Sequence, residues 1–214
     1  MGNMEAERLL LYAVTDRTWL RGRSLAECVR EAIAAGVTLV QLREKHATFE
    51  QKLALARELL PICHEAGVPL IIDDDVELAL AAGADGVHLG QNDLACAEAR
   101  RRLGPEAIIG VSAHNVAEAL DAQAQGADYL GAGALVATST KGDATPLAPE
   151  ELAAICAAVD IPVVGIGGLN AQTIPQFAGL GCAGAAVVSA IFAADDIVAA
   201  TRELRQVCEA TFAR

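Results

Sequence analysis

Two short segments and one separated pair of acids combine hydroxyls, fixed cations and hard carboxylates. They are Thr138-Ser139-Thr140-Lys141, Gln41-Leu42-Arg43-Glu44-Lys45, and Asp74 with Asp93. Mg²⁺ prefers oxygen ligands and is usually held through one or two carboxylates plus substrate phosphates. This mixture of side chains therefore suits a metal-bound pyrophosphate. Each group lies just after a run that reads as a β-strand, so the surrounding elements decide whether the groups meet.

Strand-like runs recur at residues 9–15, 38–42, 69–72, 86–89, 107–111, 129–133, 162–166 and 185–189. They are apolar and do not alternate cleanly, as parallel strands buried on both faces do. Helical patterns separate them. Ser24-Leu25-Ala26-Glu27 is a capping box, followed by Leu25, Cys28, Val29, Ala32 and Ile33 at helical spacing, and Thr48-Phe49-Glu50-Gln51 opens the next helix in the same way. Asn115 and Asn170 suit N-caps, Pro149 suits a first turn, and Pro61 within a helical pattern predicts a kink or a shortened helix. Gly36, Gly83, Gly126 and Gly181 each close a helical pattern just before a strand, where glycine supplies a left-handed cap. Eight strands alternating with helices favour a single-domain (β/α)₈ barrel over residues 1–214, with no linker to mark a second domain.

Composition agrees with that reading. The 214 residues are 53% hydrophobic but only 3% aromatic, and abundant Ala and Gly let helices lie close to a sheet. A formal net charge of −12 argues against a nucleic-acid partner, since such proteins carry a basic patch or stripe. Any anionic substrate must then be held by a few cations placed locally. The six cysteines form no CxxC pair and read as buried free thiols of a cytoplasmic protein. Residues 1–8 lack a secretory pattern, and the weakly polar run at 181–194 falls short of the ~20 residues of a membrane span.

In a barrel of this kind the active site is built from the loops at the C-terminal strand ends. Gln41, Arg43 and Lys45 fall there after the second strand and share one side by alternation. Asp73, Asp74 and Asp75 follow the third strand, Gln91-Asn92-Asp93 the fourth, and Ser112 with His114 the fifth. Residues Thr138 to Lys141 occupy the long loop after the sixth. Gly167-Gly168 after the seventh and Val188-Ser189 at the end of the eighth stand where such barrels often bind phosphate. Asp74 and Asp93 could instead cap the helices that follow. His88 and His114 read as packed, hydrogen-bonded histidines, and Trp19 as a lid or packing residue.

The motifs Tyr12-Ala13-Val14-Thr15-Asp16, Gln41 to Lys45, Gly86-Val87-His88-Leu89-Gly90-Gln91-Asn92-Asp93, Gly110-Val111-Ser112-Ala113-His114, Thr138 to Lys141 and Ile166-Gly167-Gly168 closely resemble the thiamine-phosphate synthase family. The resemblance runs from about residue 10 to 191 in the family's order. It implies a TIM barrel that joins hydroxymethylpyrimidine diphosphate to thiazole phosphate, giving thiamine phosphate and pyrophosphate. By motif, Gln41, Leu42, Arg43, Glu44 and Lys45, with Asp73, Ser112 and Lys141, would bind the pyrimidine diphosphate. Thr138, Ser139, Thr140, Gly168, Val188 and Ser189 would bind the thiazole phosphate, and Asp74 and Asp93 would hold Mg²⁺. The family's mechanism is dissociative: the C–O bond breaks first, and the thiazole nitrogen captures the pyrimidine methylene cation. Arg43, Lys45 and Lys141 would stabilise the departing pyrophosphate. The partners implied are small phosphorylated molecules, with neither nucleic acid nor membrane, and a homo-oligomer is compatible.

Two departures stand out. The family's Ile-Asn-Asp after the third strand is Ile72-Asp73-Asp74 here, and its Pro-aliphatic-aromatic run is Ala134-Leu135-Val136-Ala137. The first sets an acid beside a diphosphate. Competing readings are a thiazole tautomerase relative, a phosphosugar epimerase or isomerase on the same fold, and a non-catalytic phosphate-binding barrel. Retention of Lys45, Asp74, Asp93 and Lys141 favours the synthase.

Overall fold

The computed structural model describes residues 4–136 and 146–212. Eight parallel strands close on themselves in chain order: β1 Leu11–Val14, β2 Leu39–Leu42, β3 Leu70–Asp73, β4 Gly86–Leu89, β5 Ile108–Ala113, β6 Tyr129–Gly133, β7 Val163–Ile166 and β8 Gly184–Val187. β8 returns to pair with β1 through Leu11–Ala185 and Ala13–Val187. The (β/α)₈ expectation holds. Alternate residues of each strand face opposite ways, so two cores form. Tyr12, Leu39, Ile71, Tyr129, Val164 and Ala186 fill the barrel interior. Ala13, Val40, Ile72, Val87, Ile109 and Ala185 pack outward against the helices.

Those helices are α1 Leu25–Ala34, α2 Phe49–Glu65, α3 Val76–Ala82, α4 Cys96–Leu103, α5 Val116–Ala124, α6 Pro149–Ala158, the single turn α7 Ser189–Phe192, and α8 Ile197–Phe212. Both capping boxes form, at Ser24 with Glu27 and at Thr48 with Gln51. Asn115 caps α5 by accepting from Glu118 N–H, and Pro149 takes the first turn of α6. Gly83 closes α3 at φ 69°, in the left-handed region that only glycine enters freely.

Two local expectations are corrected, and of the two outcomes open at Pro61 the shortened helix is excluded, since α2 continues to Glu65. Asn170 caps a turn, accepting from Gln172 and Thr173 N–H, and only a 3₁₀ segment, Ile174–Phe177, follows. Pro175 and the closely following Gly179 and Gly181 leave too little uninterrupted chain there for an α-helix. His114 is exposed, against Glu118, and not packed in a core.

All six cysteines are free, and burial pushes the Cys63 thiol up to about 12. Among the described residues no helix is long and apolar enough to cross a membrane. α8 packs through Ile197, Thr201, Leu204 and Cys208, and the fully buried Thr201 hydroxyl has no hydrogen-bond partner among the described residues. Thr201→Val keeps the shape and removes that hydroxyl, so unfolding stability is expected to rise by about 1 kcal/mol. Denaturant titration checks this; a loss of stability would mean that the hydroxyl is satisfied.

Candidate active site

β2 ends at Leu42 and the chain leaves the barrel over its C-terminal rim. Gln41, Arg43 and Lys45 all line one cavity of about 140 Å³ at that rim, as their alternation predicts. Leu42 points outward into the helix-packed core, and Glu44 turns away to accept from Arg17 Nε at 2.8 Å. The Arg43 backbone N–H is fixed by Thr15 Oγ1 at 3.0 Å, which anchors the start of this cationic segment to β1.

The acids meet those cations. Asp73 is the last residue of β3, which runs one position further than the sequence suggests. Its Oδ2 lies 3.1 Å from Lys45 Nζ and 3.7 Å from Arg43 Nε. Asp74 Oδ2 lies 2.5 Å from the same ammonium. Asp74 has φ 62°, unusual for a residue with a side chain, and Asp75 N–H donates to Asp73 O at 2.8 Å across it. A non-glycine residue held this way costs of order 1–2 kcal/mol and commonly marks a functional constraint. Neither Asp74 nor Asp93 caps a helix. Asp75 caps α3, while Asp93 accepts from Gly90 N–H at 2.7 Å.

Electrostatics follow from this crowding. Burial, and then Asp74, lift the Asp73 carboxyl above the usual range. Asp74 resists the same burial because Lys45 holds it below that range. Asp93 is raised by burial, only partly offset by Gly90 N–H, and by its hydrogen-bonding contact with the Asp74 carboxyl. Two carboxyl groups in such contact repel each other once ionised, and a divalent ion with its preference for hard oxygens would relieve that repulsion. Among the described residues no group of three or more His, Cys, Asp or Glu side chains could hold a metal alone. Oxygens from a substrate would have to complete the set, as is usual for Mg²⁺.

The opposite wall is made of backbone. Gly167 and Gly168 have φ 97° and 67°, and a Cβ on Gly168 would lie 2.7 Å from the Val136 carbonyl oxygen. Glycine is therefore required for the chain to turn so close to the β6 end. Val188 and Ser189 line the same cavity where β8 passes into α7. Ser112 lines it too, from within β5 and not after it. Thr138, Ser139, Thr140 and Lys141 lie outside the described residues. A second cavity lies beside Pro162, at the opposite end of β7, and carries none of these cation–carboxylate pairs.

With this geometry in view, a family model described as thiamine monophosphate synthase matches residues 11–191. The chain belongs to the thiamine monophosphate synthase family. A thiamine-phosphate synthase of Chloroflexus aurantiacus is 50% identical, over 94% of this chain and 93% of that protein. One of Ruminiclostridium cellulolyticum is 48% identical, over 92% and 94%. The solved structure of a thiamine phosphate pyrophosphorylase from Pyrococcus furiosus superposes with a TM-score of 0.88 at 38% identity, covering 96% of this chain and 98% of that one.

Within this thiamine monophosphate synthase barrel several polar groups escaped sequence reasoning. Tyr12 and Tyr129 are buried in the interior, their hydroxyl oxygens 2.9 Å apart. His88 is packed and hydrogen-bonded as expected, yet it also lines the cavity. Gln91 Nε2 donates to the Ser112 carbonyl at 2.5 Å and ties the β4 loop to β5. The only available signal was that the chain's two tyrosines each lie within an apolar strand run.

Proposed function

We propose that this chain is a thiamine-phosphate synthase, a transferase that joins hydroxymethylpyrimidine diphosphate to thiazole phosphate and releases pyrophosphate. One observation carries the reading. A single cavity sets Gln41, Arg43, Lys45 and Ser112 on one wall and Gly168, Val188 and Ser189 on the other. Two phosphorylated molecules entering from these two sides would meet in the middle.

We assign the first wall to the diphosphate and the second to the thiazole phosphate. Arg43 and Lys45 would exchange their contacts with Asp73 and Asp74 for diphosphate oxygens and then meet the charge that grows as the C–O bond breaks. Gln41 orients the pyrimidine, Ser112 donates to its diphosphate, and backbone at Gly168 and Ser189 holds the thiazole so that its nitrogen forms the new C–N bond. Lys141 and Thr138, Ser139 and Thr140 complete the two subsites on the motif alone. Asp74 and Asp93 would hold Mg²⁺, which supplies Lewis-acid stabilisation of the leaving pyrophosphate. No side-chain nucleophile is required. Six free cysteines fit a reducing, cytoplasmic setting.

Incubation with both substrates and Mg²⁺ should yield thiamine phosphate and pyrophosphate. Isomerisation of the thiazole phosphate without coupling would overturn this reading in favour of a tautomerase.

Asp73 supplies a sharper test of the metal side. Its oxygen and that of Asp74 flank one ammonium, so a divalent cation would compete with Lys45 for the same carboxylates. Asp73→Asn is expected to weaken Mg²⁺ binding by about tenfold, the scale of a lost outer partner, with activity retained at saturating Mg²⁺. Unchanged metal affinity with tighter diphosphate binding would instead make Asp73 a repulsive neighbour.

A further inference from the structure

Five polar side chains form an unbroken hydrogen-bonded line through the barrel interior. Gln41 Nε2 donates to Tyr12 Oη at 2.7 Å, and Tyr12 Oη lies 2.9 Å from Tyr129 Oη. Tyr129 Oη lies 3.0 Å from His88 Nδ1, and His88 Nε2 lies 3.1 Å from Ser112 Oγ. Both ends, Gln41 and Ser112, reach the cavity, while the two tyrosines are 1% and 0% exposed.

Room for the line is built into the strands. A Cβ on Gly110 would stand 2.1 Å from Tyr129 Cζ and 2.5 Å from His88 Nδ1, and one on Gly131 would stand 3.0 Å from His88 Cε1. The rings hold each other: Tyr12 meets Tyr129 edge-on at 74°, with centroids 6.0 Å apart. Burial also lifts both phenols above their ordinary value, so each keeps its one proton.

With His88 as the neutral imidazole, the line has two self-consistent directions. If Gln41 donates to Tyr12, then Tyr12 donates to Tyr129 and Tyr129 to His88 Nδ1. The imidazole proton is then on Nε2 and is given to Ser112 Oγ. The Ser112 hydroxyl proton is left pointing into the cavity. With the Gln41 amide reversed, every bond reverses, and Ser112 turns its proton back to His88 and shows lone pairs to the cavity.

We infer that the line runs from Gln41 to Ser112, making Tyr12, Tyr129 and His88 positioning residues that aim the Ser112 hydroxyl as a donor at an anionic substrate. The inference rests on the functional reading above, because a diphosphate offers acceptors only and repels lone pairs. The ligand's chemistry selects this direction, and a Gln41 amide that donates to Tyr12 fits it.

The test has two readouts. In ¹⁵N-labelled wild-type protein, imidazole NMR is expected to find the His88 proton on Nε2 and Nδ1 bare. A proton on Nδ1 overturns the direction, whatever the enzyme does. In kinetics, Tyr129→Phe is expected to lower kcat about tenfold, the scale of a disrupted buried hydrogen bond, with KM for thiazole phosphate unchanged. In a Ser112→Ala background the same change should cost less than about twofold, because coupled residues are not additive. Tyr12→Phe repeats the cycle at a second link should Tyr129→Phe fold poorly. A full tenfold loss that persists without the Ser112 hydroxyl overturns the positioning role. A wild type unable to make thiamine phosphate would refute the functional reading and with it the purpose assigned to Ser112, while the histidine tautomer still decides the direction.

Discussion

Asp93→Ala is expected to leave the barrel folded and to lower Mg²⁺-dependent turnover by about a hundredfold to a thousandfold, the range seen when one electrostatic stabiliser of a leaving group is lost. The motive is the contact between the Asp74 and Asp93 carboxyls and the raised Asp93 affinity for its proton. Mg²⁺ would be held between those carboxyls, so calorimetry should find Mg²⁺ bound more weakly by the variant than by the wild type. The fold is expected to survive because Asp93 sits in an exposed turn, bonded locally to Gly90 N–H. Full activity of Asp93→Ala in the presence of a chelator would remove the metal from the mechanism.

Lys45→Ala is expected to act more broadly. Lys45 is the ammonium that both Asp73 and Asp74 contact, and they hold it above its usual protonation range despite burial. Without it, Asp73, only 12% exposed at its side chain, keeps among the described residues the more distant Arg43, 3.7 Å away. Turnover should fall about a hundredfold or more as the leaving pyrophosphate loses a cation. Stability at neutral pH should fall as well. Acidification should then recover part of that loss, because protonating Asp73 removes the unpaired buried charge. A variant whose stability deficit deepens on acidification would contradict this account of Asp73.

Much of the architecture could be read from the chain because it is specified locally. Ser24 with Glu27 and Thr48 with Gln51 cap helices through bonds three residues apart, so short windows contain the whole interaction. Apolar runs mark buried parallel strands in the same way. The rim residues Gln41, Arg43 and Lys45 could be placed together because strand alternation alone fixes their side. Partnerships between strands were not legible. Asp73 finding Arg43 and Lys45, or Tyr12 meeting Tyr129 across 117 positions of sequence, depends on closure of the ring, which no window contains. The missing helix before β8 was misread for a different reason. Asn170 offers the same side-chain cap to a turn as to a helix, and only the Pro175 and glycines beyond it end the segment early.

The pairing of Arg43 and Lys45 with Asp73 and Asp74 also governs how the site responds to ionic strength. In the free protein these cations already have counter-ions, covalently tethered and a few ångströms away. Entry of the diphosphate is therefore an ion exchange inside the protein and not a release of dissolved ions to bulk. Equilibrium affinity should depend only weakly on salt, unlike that of an open basic patch. The approach is different, because a chain of net charge −12 repels a polyanion over the whole diffusional path. Added salt screens that repulsion once the Debye length falls to about 10 Å, so moderate salt should speed substrate capture while leaving the strength of the bound state nearly unchanged.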